Sequence, residues 1–144
     1  VVEKRRLYFM LNQAQHRLRK FVDREAIQAL GVSSPQAGAL YFIRAHDGCL
    51  QREIAAEFGQ HESAVTGMLG RLEDGGYIER GASEVDSRAR NVFITEKGRE
   101  ALIAADRLLA DLNRRLTKGF TKAEIDTIAR FLESIVTRIG DESF

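Results

Sequence analysis

The sequence has one cysteine, one proline and no tryptophan in 144 residues. A lone thiol, Cys49, cannot close an internal disulfide and gives no CxxC motif for metal or redox work. Such sparing use of cysteine suits a reducing compartment. His16, His46 and His61 are scattered without ligand spacing, so no metal is expected. No run approaches the ~20 apolar residues that a membrane span needs. No apolar stretch follows Val1-Val2-Glu3-Lys4-Arg5-Arg6, as a signal peptide would require. A cytoplasmic chain without membrane contact is therefore expected. Charge of one sign is also missing: 22 Lys and Arg stand against 21 Asp and Glu, a net +1. Net charge alone thus argues mildly against a nucleic-acid partner, and the distribution of charge must decide. There is no nucleophile–base grouping and no phosphate-cradling glycine loop, so neither an enzyme nor a cofactor is expected. Repeats and Pro/Ser-rich linkers are absent, which predicts one domain over residues 1–144.

What is present is helical periodicity. From about residue 3 to residue 30, Leu7, Leu11, Ala14, Leu18, Phe21, Val22 and Leu30 recur at helical spacing, and Gly31 follows as a C-cap. Such a helix is ~42 Å long at 1.5 Å per residue, more than a compact domain of this size covers, so a partner chain is expected over it. Ser33-Ser34-Pro35 reads as an N-cap with proline in the first turn of a helix that carries Ala39, Leu40, Phe42 and Ile43. Residues 51–58 form a short helix ended by Gly59. Residues 61–74 form another, with Val65, Met68, Leu69 and Leu72 on one stripe. The pattern then switches. Residues 77–80 and 91–95 read as strands, and polar residues 81–90 between them make a long charged hairpin tip. Helix returns at residue 96, with Leu102, Ala105, Leu108, Leu109, Leu112 and Leu116 on one stripe. Thr121-Lys122-Ala123-Glu124 is a capping box. Behind it Ile125, Ile128, Leu132, Ile135 and Ile139 alternate steps of three and four, a seam suited to a helix–helix interface.

This order predicts a mostly α fold: a winged helix-turn-helix with a two-stranded β wing, flanked by helices at both ends. In such a unit the first helix braces the second, which offers outward residues near its N-terminus to base edges in the major groove. Here those residues are Gln60, His61, Glu62, Ser63, Thr66 and Gly67. Arg71 suits the phosphate backbone or a local salt bridge better than base reading. His61 also suits a capping role.

Several spaced motifs occur in a telling order. They are Gln51-Arg52-Glu53-Ile54-Ala55, Phe58-Gly59, Ser63-Ala64-Val65-Thr66, and Arg71-Leu72-Glu73-Asp74-Gly75-Gly76-Tyr77-Ile78-Glu79-Arg80. Asp86-Ser87-Arg88 and Val92-Phe93-Ile94-Thr95-Glu96-Lys97-Gly98 follow. Together they resemble the multiple-antibiotic-resistance regulator (MarR) family, most strongly over residues 34–100. The resemblance implies a sequence-specific transcriptional repressor that binds double-stranded DNA as a homodimer on a pseudo-palindromic operator. Residues 1–33 and 96–144 then supply the dimerisation helices, and residues 34–95 the winged helix-turn-helix. It also implies that Arg88 enters the minor groove, held by Asp86, with Arg90 beside it. A narrow A·T-rich minor groove concentrates the negative potential that attracts arginine. A small aromatic or lipophilic ligand that releases DNA is implied too, bound between the first two helices and the DNA-binding lobe. Tyr8, Phe21, Tyr41 and Phe42 are its candidate lining, and each serves equally well as core.

Two departures from the family pattern carry weight. Gly67 and Gly70 stand where basic or polar side chains are common, and Glu62 where Lys or Arg is common. Over residues 60–100 acidic side chains outnumber basic ones. They motivate a rival reading, a winged-helix protein-interaction module with weak or no DNA binding. Gly67 also admits an unusually close approach of backbone to DNA. Arg88 and Arg90 alone would read as a solvated loop; their place after a helix-turn-helix favours the DNA role. Asp86 paired with Arg88 at the surface contributes only ~0–1 kcal/mol, so its role there is orientation. Cys49, with no second cysteine to resolve it, reads as a small structural residue.

Overall fold

In the computed structural model, which describes residues 6–82 and 89–140, helix ends fall where capping chemistry puts them. Helix α1, Leu7–Leu30, stops at Gly31, whose φ of 70° lets its N–H close on the Ile27 carbonyl. Helix α2, Ser34–Ala45, opens on a capping box. The Gln36 N–H donates to Ser33 Oγ at 3.3 Å and the Ser33 N–H to Gln36 Oε1 at 2.8 Å. There follow β1 (Cys49–Leu50), α3 (Gln51–Glu57), α4 (Glu62–Asp74), β2 (Ile78–Ala82), β3 (Arg90–Ile94), α5 (Glu96–Thr117) and α6 (Lys122–Gly140). The predicted box at the head of α6 forms: the Thr121 N–H donates to Glu124 Oε2 at 2.8 Å and the Glu124 N–H to Thr121 Oγ1 at 3.2 Å.

The chain makes two units, divided within α5 after Leu108. In the first, helical spacing gathers one core from six elements. Leu40 and Ile43 of α2, Ile54 of α3, Val65, Leu69 and Leu72 of α4, Ile78 of β2, Val92 of β3 and Leu102 of α5 are all fully buried. Helix α1 adds only Ala26 and Leu30 from its last turns, while Leu7, Tyr8, Phe9 and Met10 at its start are exposed.

Among the described residues the sheet has three antiparallel strands in the order β1-β3-β2, where two were expected. The extra strand pairs Cys49 with Val92 and Leu50 with Asn91. Two residues are too few to show the alternation by which a strand is recognised. Strands β2 and β3 pair from Ile78↔Ile94 to Ala82↔Arg90. Thr95, expected in the strand, instead starts α5: its Oγ1 accepts the Gly98 N–H at 3.1 Å and donates to the Gly76 carbonyl at 2.6 Å. Gly98 is required by packing, since a Cβ there would lie 2.3 Å from the Tyr77 carbonyl oxygen.

The second unit holds the end of α5 and all of α6. Ile125 and Ile135 of the predicted seam are half-buried, while Ile128, Leu132 and Ile139 are exposed, as are Phe131 and Val136 beside them. No helix among the described residues is long and apolar enough to cross a membrane.

Candidate nucleic-acid interface

Helices α3 and α4 meet at a turn set by Gly59, whose φ of 58° is left-handed. The Gln60 N–H closes the turn on the Ala55 carbonyl at 3.0 Å. Helix α4 then buries Val65, Met68, Leu69 and Leu72. The spacing of these four turns the other side outward, and Gln60, His61, Glu62, Ser63, Thr66, Gly67 and Arg71 are all exposed. The structure thus brings these seven expected residues onto one continuous surface. His61 takes the N-cap position but its side chain makes no capping bond. Ring nitrogens do not reach back over the first turn as a short Ser or Asp oxygen does. Glu62 has a local reason to be acidic, because a carboxylate in the first turn favours the positive end of the helix dipole.

Behind this surface lies a network that sequence reasoning missed. Arg80 on β2 has a side chain only 10% exposed. Its Nη2 donates to Glu73 Oε1 of α4 at 3.0 Å, and its N–H to Glu73 Oε2 at 3.0 Å. Its Nη1 donates to Gln51 Oε1 of α3 at 3.0 Å. Gln51 Nε2 donates in turn to Thr66 Oγ1 at 3.4 Å. The guanidinium hydrogen bond, joined by its charge, holds the Glu73 carboxyl below the usual glutamate range. Arg80 and Glu73 sit within the quoted motifs, yet nothing in their spacing shows that they meet.

Other cations in the unit are also engaged. Lys97 Nζ donates to the Gly75 carbonyl at 2.5 Å and lies 4.5 Å from the Tyr77 ring centroid. Arg99 pairs with Asp47 at 3.5 Å, and the same carboxylate accepts the Ile94 N–H at 2.9 Å. Arg71 and Arg90 remain exposed. Asp86 and Arg88 lie outside the described residues; Arg90 begins β3, opposite Ala82.

A cavity of about 500 Å³ opens between the end of α1, the start of α2 and one side of α4. Ile27, Pro35, Ala64 and Met68 supply its apolar wall, with Gln36, Gln60 and Arg71 as polar groups. Tyr8, Phe21, Tyr41 and Phe42 do not line it. Tyr8 is exposed and edge-on to Phe9, with ring centroids 5.4 Å apart. Phe21 is half-buried on α1, under the Arg24 guanidinium. Phe42 stacks on His46 at 4.5 Å. Tyr41 donates to Asp106 Oδ1 at 2.6 Å; burial, reinforced by that carboxylate, pushes its hydroxyl up to about 12. Cys49 is buried on β1, and burial, with Glu53 nearby, pushes its thiol up to about 11. It is therefore protonated and unreactive at neutral pH. Among the described residues no cluster of His, Cys, Asp or Glu is placed to hold a metal ion.

Comparison with known proteins agrees with this architecture. A sequence profile of the MarR family matches residues 30–89. The multiple antibiotic resistance protein MarR of Escherichia coli is 29% identical over 132 residues, covering 91% of this chain and 89% of that protein. The transcriptional regulator BilQ of Clostridioides difficile is 27% identical over 106 residues, covering 72% of each. The crystal structure of apo MarR from Escherichia coli superposes with a TM-score of 0.75 at 26% identity, covering 94% of this chain and 97% of that one. The MepR–DNA complex of Staphylococcus aureus has the same fold, with a TM-score of 0.76 at 18% identity over 95% of this chain and 99% of that one. In the sequence of its helix-turn-helix region and in its fold, the chain is similar to transcriptional regulators of the MarR family.

Proposed function

We propose that this protein is a homodimeric repressor that reads a pseudo-palindromic operator. In this reading α4 lies in the major groove, and Arg88 enters the minor groove, oriented by Asp86 and flanked by Arg90. The observation that carries it is the two-sided character of α4. Its apolar stripe is sealed in the core while Gln60, His61, Glu62, Ser63, Thr66, Gly67 and Arg71 face outward together. A helix anchored in this way presents side chains to a groove at low entropic cost. The fold shared with MepR, which has been crystallised in complex with DNA, supports the choice of DNA as partner. The homodimer draws support from the apolar residues exposed along α6 and at the start of α1, since a monomer gains nothing by leaving them in water.

A small aromatic or lipophilic ligand, anionic in its best fit, would occupy the cavity beside α4. Ile27, Pro35, Ala64 and Met68 suit its apolar body and Arg71 its charge. Arg71 is also the cation of α4 best suited to a phosphate, so ligand and DNA would compete for it.

The test is selection of bound sequences from random duplex DNA at two salt concentrations, with Arg88→Ala in parallel. A pseudo-palindrome whose binding falls with salt and with the substitution is expected, because phosphate contacts release counterions. No enrichment at low salt would sink this reading and favour the protein-interaction module.

A further inference from the structure

The network behind α4 limits what Thr66 can read. The Arg80 guanidinium only donates, so the carbonyl end of the Gln51 amide must face it, and the NH₂ end must face Thr66. Thr66 Oγ1 therefore accepts from Gln51, while its own proton goes to the Glu62 carbonyl at 2.8 Å, an acceptor with no proton to give. That uses the one donor the hydroxyl has. Thr66 cannot also donate to the N7 or O6 of a purine or to the O4 of thymine. The hydroxyl is turned back toward its own preceding turn and toward α3, yet the residue is exposed. What remains for a partner is the γ-methyl and one acceptor lone pair, and thymine, whose major-groove edge offers only an acceptor and a methyl, can use the methyl alone.

Resting on the functional reading above, we infer that Thr66 is a specificity residue that recognises the C5-methyl of a thymine, and that Gln51, fixed by Arg80, is the positioning residue that holds it so. Apolar contact from a threonine methyl is one of the few ways a protein tells thymine from other bases in the major groove. Arg80 is the firm end of the relay. It is nearly buried and its other nitrogens are held by Glu73, so the Gln51 amide has a fixed point to turn on.

The experiment uses the full chain and the operator recovered by selection. Each thymine is replaced in turn by deoxyuridine, which removes the C5-methyl and nothing else. Affinities are measured for wild type, Thr66→Ser, Thr66→Val and Gln51→Ala, with melting temperatures as a check on folding. One thymine in each half-site is expected at which deoxyuridine weakens wild-type binding about fourfold, the transfer free energy of one buried methyl. Thr66→Val keeps this discrimination, because it keeps the methyl. Thr66→Ser loses it and binds both operators alike. Gln51→Ala, which removes one of the two hydrogen bonds that orient the hydroxyl, reduces the discrimination at that base pair alone. A merely structural role for Gln51 would weaken both operators equally and overturn its assignment. If no deoxyuridine matters to wild type, or if Thr66→Ser discriminates and Thr66→Val does not, the inference is overturned while DNA binding stands. Failure to bind any duplex overturns both.

Discussion

At the scale of single residues, two glycines of the lobe serve opposite purposes. At Gly98 a Cβ would collide with the Tyr77 backbone and with Ile94, so the helix–strand approach depends on its absence. Gly98→Ala is expected to cost ~1–3 kcal/mol of stability, read from a denaturant midpoint. At Gly67 a Cβ would meet nothing closer than the tip of Arg71 at 3.9 Å. No packing inside the protein uses that glycine, and in a helix it is unfavourable by ~0.5–1 kcal/mol relative to alanine. Gly67→Ala should therefore raise the melting temperature. It should also weaken operator binding if the bare backbone of α4 approaches a base pair closely. A variant that gains stability with unchanged affinity would rule out that approach. Cys49 offers a third check at this scale. With its thiol buried and its pKa near 11, alkylation at neutral pH should wait for unfolding.

At the scale of elements, the clamp between α4 and β2 should show in the acid limb of stability. Glu73 is held below its ordinary value by Arg80. A carboxyl depressed in the folded state adds stability above its unfolded pKa, about 4.3, and that contribution fades as pH falls through the folded value. Glu73→Gln should flatten the pH dependence of unfolding below about pH 4 and leave its slope near pH 7 unchanged; an identical acid limb in both proteins would show that the clamp carries no such linkage. Little of this clamp was legible beforehand. The stripe of α4, the cap at Ser33 and the box at Thr121 are local patterns, and local patterns survive in a sequence. Arg80 meets Gln51 across 29 positions and Gln51 meets Thr66 across 15, contacts that no periodicity encodes. The cavity beside α4 is hidden in the sequence for a related reason. It arises where α1 stops at Gly31 and α2 begins, and it is walled by Ile27, Pro35 and Met68, residues of three separate helices or their ends. Tyr41 engages Asp106 and Phe42 stacks on His46, and the first of these contacts likewise leaves no local pattern in the sequence.

At the scale of the molecule, the question is whether one chain suffices. The first unit has a complete core of its own, whereas α6 leaves Ile128, Phe131, Leu132, Val136 and Ile139 exposed along one seam. A second copy is the cover that accounts for such a seam without adding any other partner. Leu132→Glu places a charge in the middle of it, where desolvation would disfavour pairing. Sedimentation at micromolar concentration should give a dimer for wild type and a monomer for the variant. The variant's first unit should keep its helical circular dichroism, because none of its buried side chains lies on α6. Affinity for the full operator should then fall toward that of a single half-site, since the second α4 is no longer tethered to the first. Spacing gives an independent reading of the same geometry. Two recognition helices in successive major grooves require half-sites one helical turn apart, so adding about five base pairs between them turns the second half-site to the far face of the duplex. Wild type should lose its advantage over Leu132→Glu on that operator and regain part of it when about ten base pairs are added. A wild type indifferent to half-turn insertions would show that its two recognition helices do not engage the DNA together.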